Sequence, residues 1–247
     1  MNERVIEVDA LPPMRFQEAA DLARTEYLRF AELVETLADP EWERPTECAP
    51  WDVRLLVAHV LGSVEANASP PEMLRQMRHG LRGLTVDVDP VSAAQVAPRR
   101  HLGPAELTTR LRAAIPAAVR WRSRWSRLAG ALPVRIGAPL HETWRLRYLM
   151  DVIYTRDVWM HRVDVCRATG RDVTMRAGHD GRIVAGVVAE WARRHGKPFT
   201  LVLGGPAGGR FVRGNAGPQL DLDAVEFCRI LSGRGTGEGL LATQVPF

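Results

Sequence analysis

At 247 residues, with 46% hydrophobic and 25% charged side chains, the chain has an ordinary globular composition and the length for one large domain or two small ones. No apolar run approaches the ~20 residues that cross a bilayer, and the polar, acidic start is unlike a secretion signal. The expected address is therefore cytoplasmic, with no membrane partner. The net charge of +4 does not point to nucleic acid: Lys197 is the only lysine, and the arginines from Arg110 to Arg127 read as the solvated face of a helix that buries Trp121 and Trp125. Cys48, Cys166 and Cys228 are scattered with no C-x-x-C pair, which predicts reduced, packed thiols.

Taken in chain order, the pattern is helical from Pro13 to about Ala168. Phe16 to Leu37 carries apolar residues at helical spacing and breaks at Asp39-Pro40. An irregular link with Pro45 and Pro50 follows, and Asp52 is placed to cap a helix from Val53 to Val64. Met73 to Leu84 reads as a helix, and Pro90 and Pro98 as the ends of a loop. Pro104 opens a third long helix running to about Ala129. After a turn from Leu132 to Pro139, Glu142 to Ala168 supplies the fourth. Four long helices with loops between them predict a bundle.

Beyond Gly170 the composition changes. Ala185 to Arg194 reads as a helix, Phe199 to Leu203 and Arg210 to Arg213 as strands, and Gly239 to Thr243 as a last strand. Asp221 or Asp223 would cap a helix through Phe227 to Ser232. Gly204, Gly205, Gly208 and Gly209 lack the spacing of a nucleotide-binding loop and predict a tight hairpin. The fold class is thus α+β, with a four-helix bundle at 1–170 and a small α/β domain at 171–247.

Chemistry concentrates in Arg156-Asp157-Val158-Trp159-Met160-His161-Arg162-Val163-Asp164. A carboxylate and an imidazole four residues apart share a helix face at about 5–6 Å, close enough to hold one divalent metal, though such a pair also occurs on plain surfaces. His59, on the helix after Asp52, would be a third ligand, leaving the open position of a catalytic zinc. Asp164 could orient an imidazole or serve as a salt-bridged carboxylate. Asp151 and Arg156 read as structural, Trp144, Tyr148 and Trp159 as a buried stripe, and His79, His101, His141, His179 and His195 have no partner spacing.

Three segments together resemble the mycothiol-dependent maleylpyruvate isomerase family. Pro50 to Gly62 is similar to its P-G-W-x-V-x-D-L-x-A-H-L segment, Arg156 to Asp164 to its R-E-x-x-x-H-x-x-D segment, and Leu222 to Arg234 to the end of its C-terminal domain. The resemblance implies a DinB-like metal-binding bundle followed by a small α/β domain, and an actinobacterial source that suits the arginine skew. It places the ligands of Zn2+, or another divalent metal, on His59, Asp157 and His161. Asp157 departs from the family glutamate by one methylene. It further implies mycothiol as thiol cosubstrate and Arg234 as the group that holds a substrate carboxylate between the two domains.

Such a protein would activate mycothiol as a thiolate for addition to a small-molecule electrophile, as S-transferase or cis–trans isomerase. Two alternatives stay open: a metal-dependent hydrolase using bound water, with Asp164 as base, and a non-enzymatic DinB-like binding protein. A monomer is the simplest expectation.

Overall fold

The computed structural model describes residues 5–83 and 85–247. Two compact units divide the chain: Arg15–Asp172, and a second that joins residues 5–14 to Val173–Phe247. The observed boundary falls two residues beyond the expected one. The N-terminal segment, expected within the bundle, instead supplies a strand to the second unit. Among the described residues no helix is long and apolar enough to cross a membrane.

In the larger unit, helix α1 (Phe16–Glu35) buries Ala19, Leu22, Ala23, Tyr27, Phe30, Ala31 and Val34, a stripe at three- and four-residue spacing. Helix α2 (Val53–Ala68) starts where the Asp52 carboxylate accepts the Leu55 amide at 2.7 Å, satisfying one otherwise orphan donor. Helices α3 (Pro70–Gly80) and α4 (Val88–Val96) follow, joined by the short strands β2 (Leu81–Arg82) and β3 (Thr85–Val86). Leu84, the expected last residue of the helix starting at Met73, lies outside the described residues. The expected loop between Pro90 and Pro98 is mostly α4. Pro90 sits in the first helical turn, where its missing N–H is no loss, and Pro98 follows the helix end.

Helix α5 (Pro104–Ala129) is the longest. The expected turn after it contains strand β4 (Pro133–Ile136), which pairs antiparallel with β5 (Glu142–Arg145), Val134 opposite Trp144. This corrects the expected start of the fourth helix: Thr143 and Trp144 favour the strand. The helical path begins with the short α6 (Leu146–Tyr148), widens into a π-helical turn at Leu149–Ile153, and becomes α7 (Tyr154–Thr169), which ends at Gly170 with φ of 70°. The core is shared by Tyr27, Phe30 and Val34 of α1, Leu56, Val60 and Leu61 of α2, Leu107, Leu111 and Ile115 of α5, and Val158 and Val165 of α7.

Two polar networks brace this unit. Arg122 of α5, expected on a solvated face, is buried and donates to the Met150 carbonyl at 2.8 Å, to the Tyr27 hydroxyl at 2.7 Å and to the Thr155 hydroxyl at 2.9 Å. Trp125 is instead 42% exposed. The end of α5 turns Ala118, Arg122 and Ser126 inward because the π turn presents polar groups there; Ser126 donates to Asp151 at 2.7 Å.

The second feature is Glu72, which accepts from Arg75, Gln76 and the buried Arg99 at 2.7–2.8 Å. The Arg75 hydrogen bonds, with those from Arg99 and Gln76, outweigh burial and hold its carboxyl at about 2. A depressed carboxylate pKa stabilises the fold above the unfolded value of 4.5, and that contribution disappears as pH falls through about 2. The melting temperature of wild type should therefore exceed that of Glu72→Gln at neutral pH. Measured as a function of pH, the gap should close between pH 4.5 and about 2.

In the smaller unit, strands β6 (Phe199–Gly204), β7 (Gly209–Arg213) and β8 (Gln219–Asp223) join β1 (Val5–Glu7) in the order β1-β7-β6-β8. The glycine-rich segment forms the β6–β7 hairpin, with Gly205 at φ of 82°. Helix α8 (Asp180–His195) places Trp191 against Phe199 and Phe227. Helix α9 (Ala224–Leu231) is capped by the Asp223 side chain. The expected strand at Gly239 to Thr243 is a 3-10 turn, Gly239–Ala242, whose Leu240 carbonyl accepts from the Trp191 indole.

Candidate metal centre

Helices α2 and α7 bring His59, Asp157 and His161 together. His59 lies two turns into α2. Asp157 and His161 lie one turn apart on α7, so both project from the same side of that helix. The Asp157 Oδ1 atom is 3.3 Å from His161 Nε2 and 3.7 Å from His59 Nε2, and one ligand atom from each residue lies within 4.8 Å of the others. Donors bound at 2.0–2.1 Å with tetrahedral angles sit about 3.3 Å apart. The Asp157–His161 spacing matches that of a zinc-sized ion's shell and the Asp157–His59 spacing lies close to it, so the aspartate reaches both imidazoles despite its shorter side chain. Both imidazoles are buried, while Asp157 is only partly covered. The two rings meet edge-on with centroids 5.0 Å apart, and Trp51 lies 4.9 Å from His59 on its other side.

The electrostatics favour a cation here. Burial alone would raise the pKa of Asp157, but His161 and His59 beside it outweigh that and hold its carboxyl far below the usual range. Burial would likewise discharge His161. Asp157, Asp164 and Cys48 reverse this and hold its imidazole well above the ordinary histidine value. A site that keeps a proton on a buried imidazole between two carboxylates has a negative potential, which a divalent ion would satisfy.

Asp164, fully buried on the next turn of α7, lies 2.9 Å from His161 Nδ1. By accepting a hydrogen bond from Nδ1, Asp164 fixes the ring with Nε2 toward Asp157, the carboxylate–histidine arrangement that orients metal ligands once Nε2 gives up its proton. Cys48 donates its thiol proton to the same Asp164 oxygen at 3.3 Å. No local signal marks Cys48, which lies in an irregular link distant in the chain from its partners. His59 Nδ1 is buried without a partner. Asp164→Asn, which keeps shape but loses the negative acceptor, should weaken zinc affinity by about 10–100-fold in competition with a chromogenic chelator.

The other expected residues are described within their own units. Arg234, in the smaller unit, follows α9, and its amide donates to the Arg229 carbonyl at 2.9 Å. His195 packs on Trp191 with centroids 4.4 Å apart, and burial lowers its pKa. Trp144 and Trp159 are buried, as is Arg156.

The fold and this cluster define a mixed α+β protein whose helical unit carries two histidines and a carboxylate close enough together to hold a metal ion. The chain belongs to the mycothiol maleylpyruvate isomerase family: residues 23–166 match the sequence profile described as the mycothiol maleylpyruvate isomerase N-terminal domain. Among solved structures it is similar to the crystal structure of the mycothiol-dependent maleylpyruvate isomerase, with a TM-score of 0.58 and 18% identity over 93% of this chain and 92% of that one. A histidine-to-alanine mutant of that isomerase matches with the same TM-score at 17% identity and the same coverage. No curated protein matches the sequence at a significant level.

Proposed function

We propose that this protein is a zinc-dependent enzyme that uses mycothiol as a thiolate against an electrophilic small molecule. The observation that carries the reading is the clustering of His59, Asp157 and His161 within 4.8 Å, in a chain of this family. Zinc held by these three residues would keep one position open and would favour the thiolate form of a thiol at neutral pH.

The protein's own groups have distinct tasks. Asp164 fixes the ring of His161, and Asp157 brings negative charge between the two imidazoles. Arg234 pairs with a substrate carboxylate through its planar guanidinium. Thiolate addition to the conjugated carbon of a cis enone leaves a single bond that can rotate, and elimination then returns the trans isomer. Retention of the thioether would make the same protein an S-transferase.

Hydrolysis by a bound water would need a free general base. Asp164 is fully buried and already accepts from His161 and Cys48, which disfavours that reading. The test is turnover of a cis-enone acid, followed by its ultraviolet absorbance. Zinc-loaded protein should act only when mycothiol is added, and chelation should stop it. Equal turnover without thiol would reject the proposal in favour of a hydrolase.

A further inference from the structure

We propose that Cys48, His161 and Asp164 form a second metal site, selective for thiophilic cations such as Cd2+. The Cys48 sulfur lies 3.9 Å from His161 Nδ1 and 3.3 Å from Asp164 Oδ2, and the latter two atoms are 2.9 Å apart. Each residue offers one ligand atom, and these lie within 4.8 Å of one another. Zinc's bonds of about 2.3 Å to sulfur and 2.0–2.1 Å to nitrogen or oxygen put tetrahedral donors about 3.3–3.6 Å apart, and a larger soft ion sets them wider. The 3.9 Å spacing of Cys48 and His161 suits such an ion, while the 2.9 Å His161–Asp164 contact, a hydrogen bond until the ion binds, must open by a side-chain rotation to admit it.

The position of Cys48 is set by its loop. Thr46 and Trp51 bridge the link through the Trp51 carbonyl, which accepts both the Thr46 amide at 3.1 Å and the Thr46 hydroxyl at 2.7 Å. The Cys48 amide donates to that hydroxyl at 3.2 Å, and the Cys48 carbonyl accepts the Trp51 amide at 3.0 Å. The half-buried thiol is held against α7, and an ion would arrive from the Cys48 side, since Asp164 is fully buried.

This group shares His161 with the first cluster but uses the opposite ring nitrogen: Nδ1 faces Cys48 and Asp164, and Nε2 faces Asp157. A cation at one site therefore leaves the other's donor atom in place. Binding displaces two protons to solvent, one from the thiol and one from Nδ1; with zinc on Nε2 this leaves His161 as an imidazolate between the two ions, and the Cys48 thiolate, that imidazolate and the carboxylates of Asp157 and Asp164 together balance two divalent charges. The thiolate selects soft ions, whereas the first cluster offers only nitrogen and oxygen.

The test is titration of the zinc-supplied full chain with Cd2+, read by the ultraviolet thiolate-to-cadmium charge-transfer band. The band should saturate at about one Cd2+ per chain. It should persist in His59→Ala, which dismantles only the first cluster, and vanish in Cys48→Ser. It should also persist in the Cys166→Ser, Cys228→Ser double variant, where Cys48 is the sole thiol; this settles the question should Cys48→Ser not fold. Absence of the band in wild type, its loss in the double variant, its survival in Cys48→Ser, or its dependence on His59 would overturn the proposal.

Discussion

His161→Ala is expected to abolish stoichiometric zinc binding and to reduce thiol-dependent turnover by more than about 100-fold. Loss of an outer partner of a metal-bound imidazole costs up to about 100-fold, and removal of the ligand itself must cost more. His161 is also the residue on which the whole arrangement converges: its Nε2 is 3.3 Å from Asp157, and its Nδ1 is 2.9 Å from Asp164. Elemental analysis of wild type and variant, purified side by side, provides the first check and turnover the second. A variant that retains one zinc per chain would remove His161 from the ligand set.

The largest effect on stability is expected at Arg122. Its guanidinium supplies the Met150 carbonyl, the Tyr27 hydroxyl and the Thr155 hydroxyl, all in the interior, and it lies 5.3 Å and 5.6 Å from the ring centroids of Tyr27 and Tyr154. Arg122→Met keeps most of the bulk but leaves those groups without their donor. Hydrogen bonds from a charged group are worth about 1.5–3 kcal/mol each, and unsatisfied buried acceptors add a cost, so a loss of about 3–5 kcal/mol is expected. The shift in urea midpoint, at unchanged m value, measures it. The exposed Trp125→Gln should change stability by less than about 0.5 kcal/mol. Because the π turn leads directly into α7, Arg122→Met should also weaken metal binding.

Helix spacing made α1, α2, α5 and α7 legible, because each buries a face whose apolar period shows in the sequence. The cap at Asp52 was legible for the same local reason. The pair Asp157–His161 was visible from spacing, and His59 from the neighbouring segment. Their convergence depends on how α2 crosses α7, which no local pattern encodes. The four-residue spacing of Trp121 and Trp125 predicts a shared buried face, but Trp121 is half-buried and Trp125 exposed. The inward face at that end of α5 is polar instead, to meet the π turn. Strand β5 was hidden inside a longer helical pattern, since its pairing with β4 is the determinant. The strand β1 has three residues, too few to carry a period. Cys48 acquires its partners only through a loop fold held by Thr46 and Trp51.

The most direct measurement of the central claim is the cobalt-substituted spectrum of the Cys48→Ser protein, recorded before and after mycothiol. That background removes the Cys48 thiol, which lies 3.9 Å from His161. A sulfur-to-cobalt charge-transfer band that appears on thiol addition, saturates at about one thiol per metal, and is absent in His161→Ala is the predicted result. A spectrum unchanged by mycothiol, with cobalt still bound by His59, Asp157 and His161, would contradict thiol activation at this metal.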